Sequence, residues 1–280
     1  MQISSSRREV LGGALAAFAG ARLSFAAPVT QDDTAGFKLG VASYSFRKLP
    51  RADAIKGLEA LKVRYVNIKD FHAAMKSTPA ELKQIRTDFE SAGIQILGVG
   101  NVSFQKNEEG EMRHNFEYAK ALGAPVIVMA PTKETLPGIE KLAKEYNIKT
   151  AIHNHGPEDK HFPAPSDVLK AIKGMDSRMG LCIDIGHTSR TGADIVQSIK
   201  DAGPRLHDMH VKDLSDPMKK ESQVAVGEGV LPIPAIFKQL QRMGYKGGVM
   251  LEYEINADNP LPGMKESFAY MRGVLAGMKA

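Results

Sequence analysis

Four short apolar segments in the second half of this chain each carry an imidazole or a carboxylate near their ends. Leu181-Cys-Ile-Asp-Ile185 closes on a turn at Gly186 and is followed by His187. Strand alternation puts Cys182 and Asp184 on one face of that segment. Leu206-His-Asp-Met-His-Val-Lys-Asp213 sets Asp208, His210 and Lys212 on one face, and Gly248-Val-Met-Leu-Glu-Tyr-Glu254 sets Met250, Glu252 and Glu254 together. Earlier, Lys149-Thr-Ala-Ile-His-Asn-His155 places Ala151, His153 and His155 on one face. Core packing would use Val or Leu at such positions. A carboxylate among apolar residues is costly to bury unless a cation or a good donor meets it. Imidazole nitrogen and carboxylate oxygen are the donors that a hard or borderline divalent metal takes. The repetition at four strand ends points to a metal site. Cys182 reads as a small core residue beside it, since a lone buried cysteine packs as a small hydrophobe.

The elements that must position these residues alternate along the chain. Strands are expected near 38–43, 65–68, 94–99 and 126–130, then at 149–155, 181–185, 206–213 and 248–254. Helices are expected near 52–61, 78–92, 108–122, 134–146, 167–172, 193–202, 233–243 and 265–278. Thr78-Pro-Ala-Glu81 has the pattern of a capping box with Pro at the first helical position. Eight strand–helix units in one uninterrupted stretch predict a single (β/α)8 barrel, with active-site residues at the strand C-termini. An open doubly wound sheet is the alternative. No strand runs into a Gly-rich phosphate loop, and Gly227-Glu-Gly229 follows a loop, so it reads as a turn.

The first residues read as a targeting segment. Arg7-Arg8 precedes an apolar run from Leu11 to Gly20, and small residues end at Ala26. This is the pattern of a twin-arginine signal at residues 1–26, cleaved on export to the periplasm. Cleavage would remove three arginines and one glutamate, taking the formal charge from +5 to +3. The remaining lysines are scattered and Trp is absent, so the composition gives no footprint for nucleic acid. The apolar run is too short to span a bilayer, so no membrane association is expected after cleavage. A single cysteine excludes an intramolecular disulfide. Nothing in the composition fixes the oligomeric state.

Residues 37–280 resemble the sugar phosphate isomerase/epimerase superfamily, the xylose isomerase-like TIM barrels that also include AP endonucleases. The similarity is carried by Asp184-Ile-Gly-His187, His210-Val-Lys-Asp213, Gly227-Glu-Gly229 and Leu251-Glu-Tyr253, and by Asn115-Phe-Glu-Tyr-Ala-Lys-Ala-Leu-Gly123. The resemblance implies a divalent metal, manganese first, with zinc, cobalt or magnesium as alternatives. It implies ligands at Asp184, His210 and Glu252. Strand five of the family supplies a glutamate where this chain has His153, with His155 as a competitor on the same face. Related epimerases move a proton between two ligand glutamates, so the substitution at His153 changes the basicity of the site. Glu252 is expected as ligand and base, with His155 or His187 as competing bases. Lys69 and His72 at the end of strand two, Asn101 after strand three, and Lys212 are expected to meet substrate. Glu254 reads as a rim residue. A metal that polarises a carbonyl acidifies the neighbouring C–H, which a glutamate or histidine can then deprotonate. The expected activity is isomerisation or epimerisation of a carbohydrate. The alternatives are a lyase or hydrolase that opens 3-keto-glycosides by elimination, and a non-catalytic sugar-binding barrel.

Overall fold

Apolar runs bounded by turn residues become strands here because helices and barrel interior cover both faces. The computed structural model describes residues 36–278, so the signal expected at residues 1–26 lies outside the described residues. Among the described residues, eight parallel strands close into a barrel: β1 (Lys38–Ala42), β2 (Tyr65–Ile68), β3 (Gln95–Phe104), β4 (Val126–Pro131), β5 (Lys149–His153), β6 (Met179–Asp184), β7 (Leu206–Val211) and β10 (Gly248–Leu251). Each pairs with the next along the chain, and β10 returns to β1. A small antiparallel pair, β8 (Asp213–Leu214) with β9 (Gln223–Val224), stands apart in the loop after β7.

Helices α1 (Arg51–Ala60), α2 (Pro79–Ser91), α3 (Glu109–Ala121), α4 (Leu136–Tyr146), α5 (Pro165–Ala171), α7 (Ile195–Ala202), α8 (Ile233–Arg242) and α9 (Leu261–Gly277) each follow a barrel strand in sequence. The capping box of α2 forms as expected. Thr78 Oγ1 accepts from the Glu81 amide at 3.3 Å, and the Glu81 carboxylate accepts from the Thr78 amide at 2.7 Å. Helix α8 shows why such segments dock: Ile233, Ile236, Phe237 and Leu240 recur at helical spacing and are all buried. Fully buried phenylalanines, Phe89, Phe116, Phe237 and Phe268 among them, belong to the main apolar core. Truncating one of these to Ala would cost about 3–5 kcal/mol through lost transfer energy and the cavity left behind.

The register places the chemistry. His153 lies beside Cys182, Asp184 beside His210, and His210 beside Met250, so the polar ends of β5, β6, β7 and β10 meet at one rim. Three details differ from the sequence reading. Strands β5, β7 and β10 end at His153, Val211 and Leu251, so His155, Lys212, Glu252 and Glu254 are the first residues of loops. Strand β3 continues to Phe104 through a register shift between Val99 and Val102. Gly100 makes that shift feasible, because its φ is +139° and a Cβ there would overlap the Val128 carbonyl oxygen. Finally, Ile185 does not extend a strand: Ile185–Arg190 forms the short helix α6, with Asp184 as its N-cap. Among the described residues, no helix is long and apolar enough to cross a membrane.

Candidate metal centre

At that rim, one donor atom each from His153, Asp184, His210 and Glu252 lies within 4.8 Å of the others. His153 Nε2 is 3.0 Å from His210 Nδ1 and 3.7 Å from Asp184 Oδ2. His210 Nδ1 is 3.2 Å from Glu252 Oε2. Donors bonded to one ion at about 2.0–2.2 Å stand roughly 3–3.5 Å apart, so this set fits a single divalent metal, a few tenths of an ångström wide at Asp184. Two observations support the fit. Asp184 Oδ2 is fully buried, with the Lys212 ammonium at 3.0 Å as its neighbouring cation, so a charged carboxylate is kept inside the rim. Two imidazoles meeting nitrogen to nitrogen can share only one proton, whereas a cation accepts both lone pairs.

Lys212 enters the same cluster. Its ammonium lies 3.0 Å from Asp184 Oδ2 and 2.9 Å from Glu252 Oε2, and it also bonds Glu254. With three carboxylates ionised and one lysine protonated, these four side chains carry a formal charge of −2, which a divalent cation cancels. Lys212 is buried and committed to three carboxylates, so the structure does not leave it for substrate. Glu254 belongs to this cluster as well as to the rim.

Ligation needs neutral imidazole and ionised carboxylate. Burial works against a charged His210, but Cys182 and Glu252 outweigh it and hold that imidazole well above its ordinary value, so a metal must displace its proton. Burial drives the His153 imidazole well below its ordinary value. Burial works against a charged Glu252, but Lys212 and His210 outweigh it and hold the carboxyl well below the ordinary range. That makes Glu252 a good ligand and a weak base. Burial pushes the Cys182 thiol up to about 12, so it is a thiol beside the site and not a thiolate ligand. Below it, Asp208 is raised to about 7 by burial and is bonded by the Asn67 amide.

A cavity of about 320 Å³ opens on the cluster, lined by Tyr44, Lys69, Asn101, His153, His155, His187, Glu252 and Glu254. Lys69, Asn101, His155 and His187 all line this cavity. The Lys69 ammonium donates to the Asn101 carbonyl at 2.8 Å. His72 does not join them. It is buried, with Nδ1 2.9 Å from Ser43 Oγ and Nε2 3.2 Å from the Leu49 carbonyl. Both ring nitrogens are used by the β1–α1 connection, so His72 holds that loop instead of facing a ligand.

Several contributors went unread in the sequence. Asn154 accepts from the Asp184 amide at 3.0 Å and donates to Thr188 Oγ1 at 3.1 Å, tying β5 to α6 behind the donors. Arg190 reaches His187 Nδ1 at 2.8 Å. Its signal was its place three residues after His187, legible once Asp184 is recognised as an N-cap. Asp213 has a structural role: its carboxylate accepts from the amides of Gly227 at 2.9 Å, Gly229 at 3.2 Å and Leu231 at 3.1 Å. A Cβ on Gly229 would overlap that carboxylate, so the Gly227-Glu-Gly229 turn and Asp213 act as one device.

Residues 55–274 match the family described as the xylose isomerase-like TIM barrel. The chain belongs to that family. It is 24% identical over 226 residues to inosose dehydratase of Klebsiella pneumoniae, covering 63% of this chain and 74% of the relative. Its fold is similar to that of the IolI protein solved with a zinc atom, with TM-score 0.70, 19% identity, and coverage of 85% of this chain and 98% of the other. It is equally similar in fold to 3-keto-D-glucoside 4-epimerase from E. coli, with TM-score 0.70, 15% identity, and coverage of 85% and 99%. Membership goes with the barrel fold, and the rim cluster is one able to hold a metal ion.

Proposed function

We propose that this protein is a divalent-metal-dependent enzyme that removes a proton beside the carbonyl of a keto-sugar or cyclic keto-polyol. The observation that carries the reading is the convergence of His153, Asp184, His210 and Glu252 on one point of a polar cavity. A metal held by these four residues would supply a Lewis acid for the carbonyl oxygen. The protein's own part is to hold the substrate against Lys69 and Asn101 and to move the proton with a cavity side chain. Manganese and zinc both suit two imidazoles with two carboxylates, and the IolI neighbour was solved with zinc.

Loss of the proton leaves two outcomes. Protonation on the opposite face of that carbon gives epimerisation, protonation at the former carbonyl carbon gives isomerisation, and departure of a β group gives a lyase. A dehydratase among the relatives and a keto-glucoside epimerase among the fold neighbours support both. The His153 substitution removes the second ligand glutamate of the two-glutamate epimerases, which favours elimination.

The experiment is a screen in deuterated water of keto-sugars, inososes and 3-keto-glycosides, with protein loaded with zinc or manganese. The expected result is deuterium entering the carbon beside the carbonyl, followed by an inverted centre or by loss of water or aglycone. Metal bound in stoichiometric amount with no exchange in any substrate overturns the proton-abstraction reading. No metal bound under any loading condition overturns both and leaves a sugar-binding barrel.

A further inference from the structure

His155 and His187 both line the cavity, with ring centroids 5.7 Å apart. Each has its Nδ1 fixed by a partner, and the two partners are of opposite kind.

His187 Nδ1 lies 2.8 Å from a guanidinium nitrogen of Arg190. A guanidinium offers five donors and no acceptor, so this ring nitrogen must present its lone pair. A neutral imidazole with a lone pair on Nδ1 carries its proton on Nε2. An imidazolium would set a second N–H against the guanidinium. Arg190 is held in place: its side chain is buried, Glu158 binds it at 2.5 and 2.8 Å, and it also donates to the His155 carbonyl at 3.2 Å.

His155 Nδ1 lies 3.3 Å from Asp159 Oδ2. The other oxygen of Asp159 accepts from the backbone amides of His161 at 2.7 Å and Phe162 at 3.0 Å, which fixes its orientation. Burial opposes its charge, but the bonds from His155 and those amides prevail and hold the carboxyl at about 2. An ionised carboxylate is an acceptor only, so His155 Nδ1 carries the ring proton. Its Nε2 is then a lone pair, and it accepts from the Asn101 amide nitrogen at 2.8 Å.

We propose that Arg190 and Asp159 are positioning residues that hold the two cavity histidines in opposite tautomers, His187 presenting an Nε2–H donor and His155 an Nε2 lone pair. Resting on the function proposed above, this divides the proton chemistry between them. The His155 Nε2 lone pair takes the proton from the carbon beside the carbonyl. The C–H electron pair becomes the new C=C bond, and the carbonyl π pair moves onto oxygen. His187 Nε2–H donates to that oxygen as its charge grows. In an isomerisation His155 delivers a proton, exchangeable with solvent, to the former carbonyl carbon while the neighbouring hydroxyl loses its own; in an epimerisation a proton drawn from solvent reaches the opposite face of the original carbon. In an elimination, the electron pair instead expels the β group, which leaves with the shared electrons. Glu252, enclosed by Lys212 and His210, is thereby a ligand and not the base.

The test reads the tautomers directly. The full chain is labelled with 15N-histidine, and long-range ring correlations are recorded at neutral pH in metal-free and zinc-loaded protein. His155→Gln and His187→Gln assign the signals. The expected pattern is a protonated Nε2 with a bare Nδ1 for His187, and the reverse for His155. Arg190→Leu should release His187 into averaging tautomers while Arg190→Lys restores the fixed one, and Asp159→Asn should invert His155. Either histidine in the opposite tautomer, doubly protonated, or averaging in the unmodified protein overturns the proposal. An unchanged His187 pattern in folded Arg190→Leu removes the role of Arg190. If Arg190→Leu does not fold, the unmodified spectra alone decide. A correct tautomer pattern in a protein that binds no zinc and exchanges no substrate proton overturns the function and leaves the tautomer assignment standing.

Discussion

His153 is the residue at which this chain departs most from the family pattern, and it is also the most testable. It sits 3.0 Å from His210 Nδ1 and is buried, whereas His155 is partly exposed. His153→Ala should therefore weaken metal binding by about 10- to 100-fold or more, since even outer-shell losses cost that much. Titration with zinc against a competing chelator measures it, and undiminished affinity would move the ligand to His155. A second comparison separates ligand from base. Glu252→Gln keeps an oxygen donor and should lower metal affinity while the loaded protein still exchanges the substrate proton. His155→Gln should keep the metal and lower exchange by about 10²- to 10⁴-fold, the usual worth of a general base. Exchange lost only in Glu252→Gln at full metal occupancy would return the base role to Glu252.

Between strand and helix, the loop after β5 carries the supports of the site, and its charges set a pH window. Arg190 holds the Glu158 carboxyl down to about 2, below its ordinary 4.5. Asp159 is also held at about 2, below its ordinary 3.8. Both folded values are depressed, so their contribution to loop stability is fully present above the unfolded values near 4 and is lost as pH falls toward 2. Much of Glu158 is exposed, so solvent screening makes its share modest. The amides of His161 and Phe162, bonded to Asp159, should lose hydrogen-exchange protection between pH 5 and pH 2.5 after correction for intrinsic rates. Protection that stays flat across that window would show that the loop is held by packing alone.

At the scale of the molecule, an ion that binds only the assembled rim must stabilise the whole barrel. Its donors come from four strand ends and do not exist as a set in the unfolded chain. Metal at 100 times its dissociation constant contributes about 2.7 kcal/mol, and for a barrel of this size should raise Tm by roughly 5–11 °C over chelated protein. Identical melting curves with and without metal would contradict a resident ion. Export is a second whole-chain matter. We propose that residues 1–26 direct twin-arginine export, on the strength of Arg7-Arg8 and the apolar run after them. Replacing both arginines with Lys should leave the protein in the cytoplasm, and unchanged periplasmic recovery would argue for another route.

What the residues determined by themselves was local in origin. Period-two alternation and polar residues breaking apolar runs marked the strands and their C-terminal donors, and capping signals such as Thr78 to Glu81 marked helix starts. Barrel closure followed from counting those units. The tertiary structure decided what lies across space. Asp184 capping α6 turned an expected strand end into a helix and brought Arg190 under His187. Lys212 was expected to meet substrate, but it is buried among Asp184, Glu252 and Glu254. His72 was expected at the cavity, but Ser43 and Leu49 occupy both its nitrogens. None of these residues carries a local mark of its partner, because the partners lie on other strands and loops and meet only when the barrel closes. A side chain's protonation and direction depend on the charges and donors within a few ångströms of it, and for these residues the closed barrel alone supplies them.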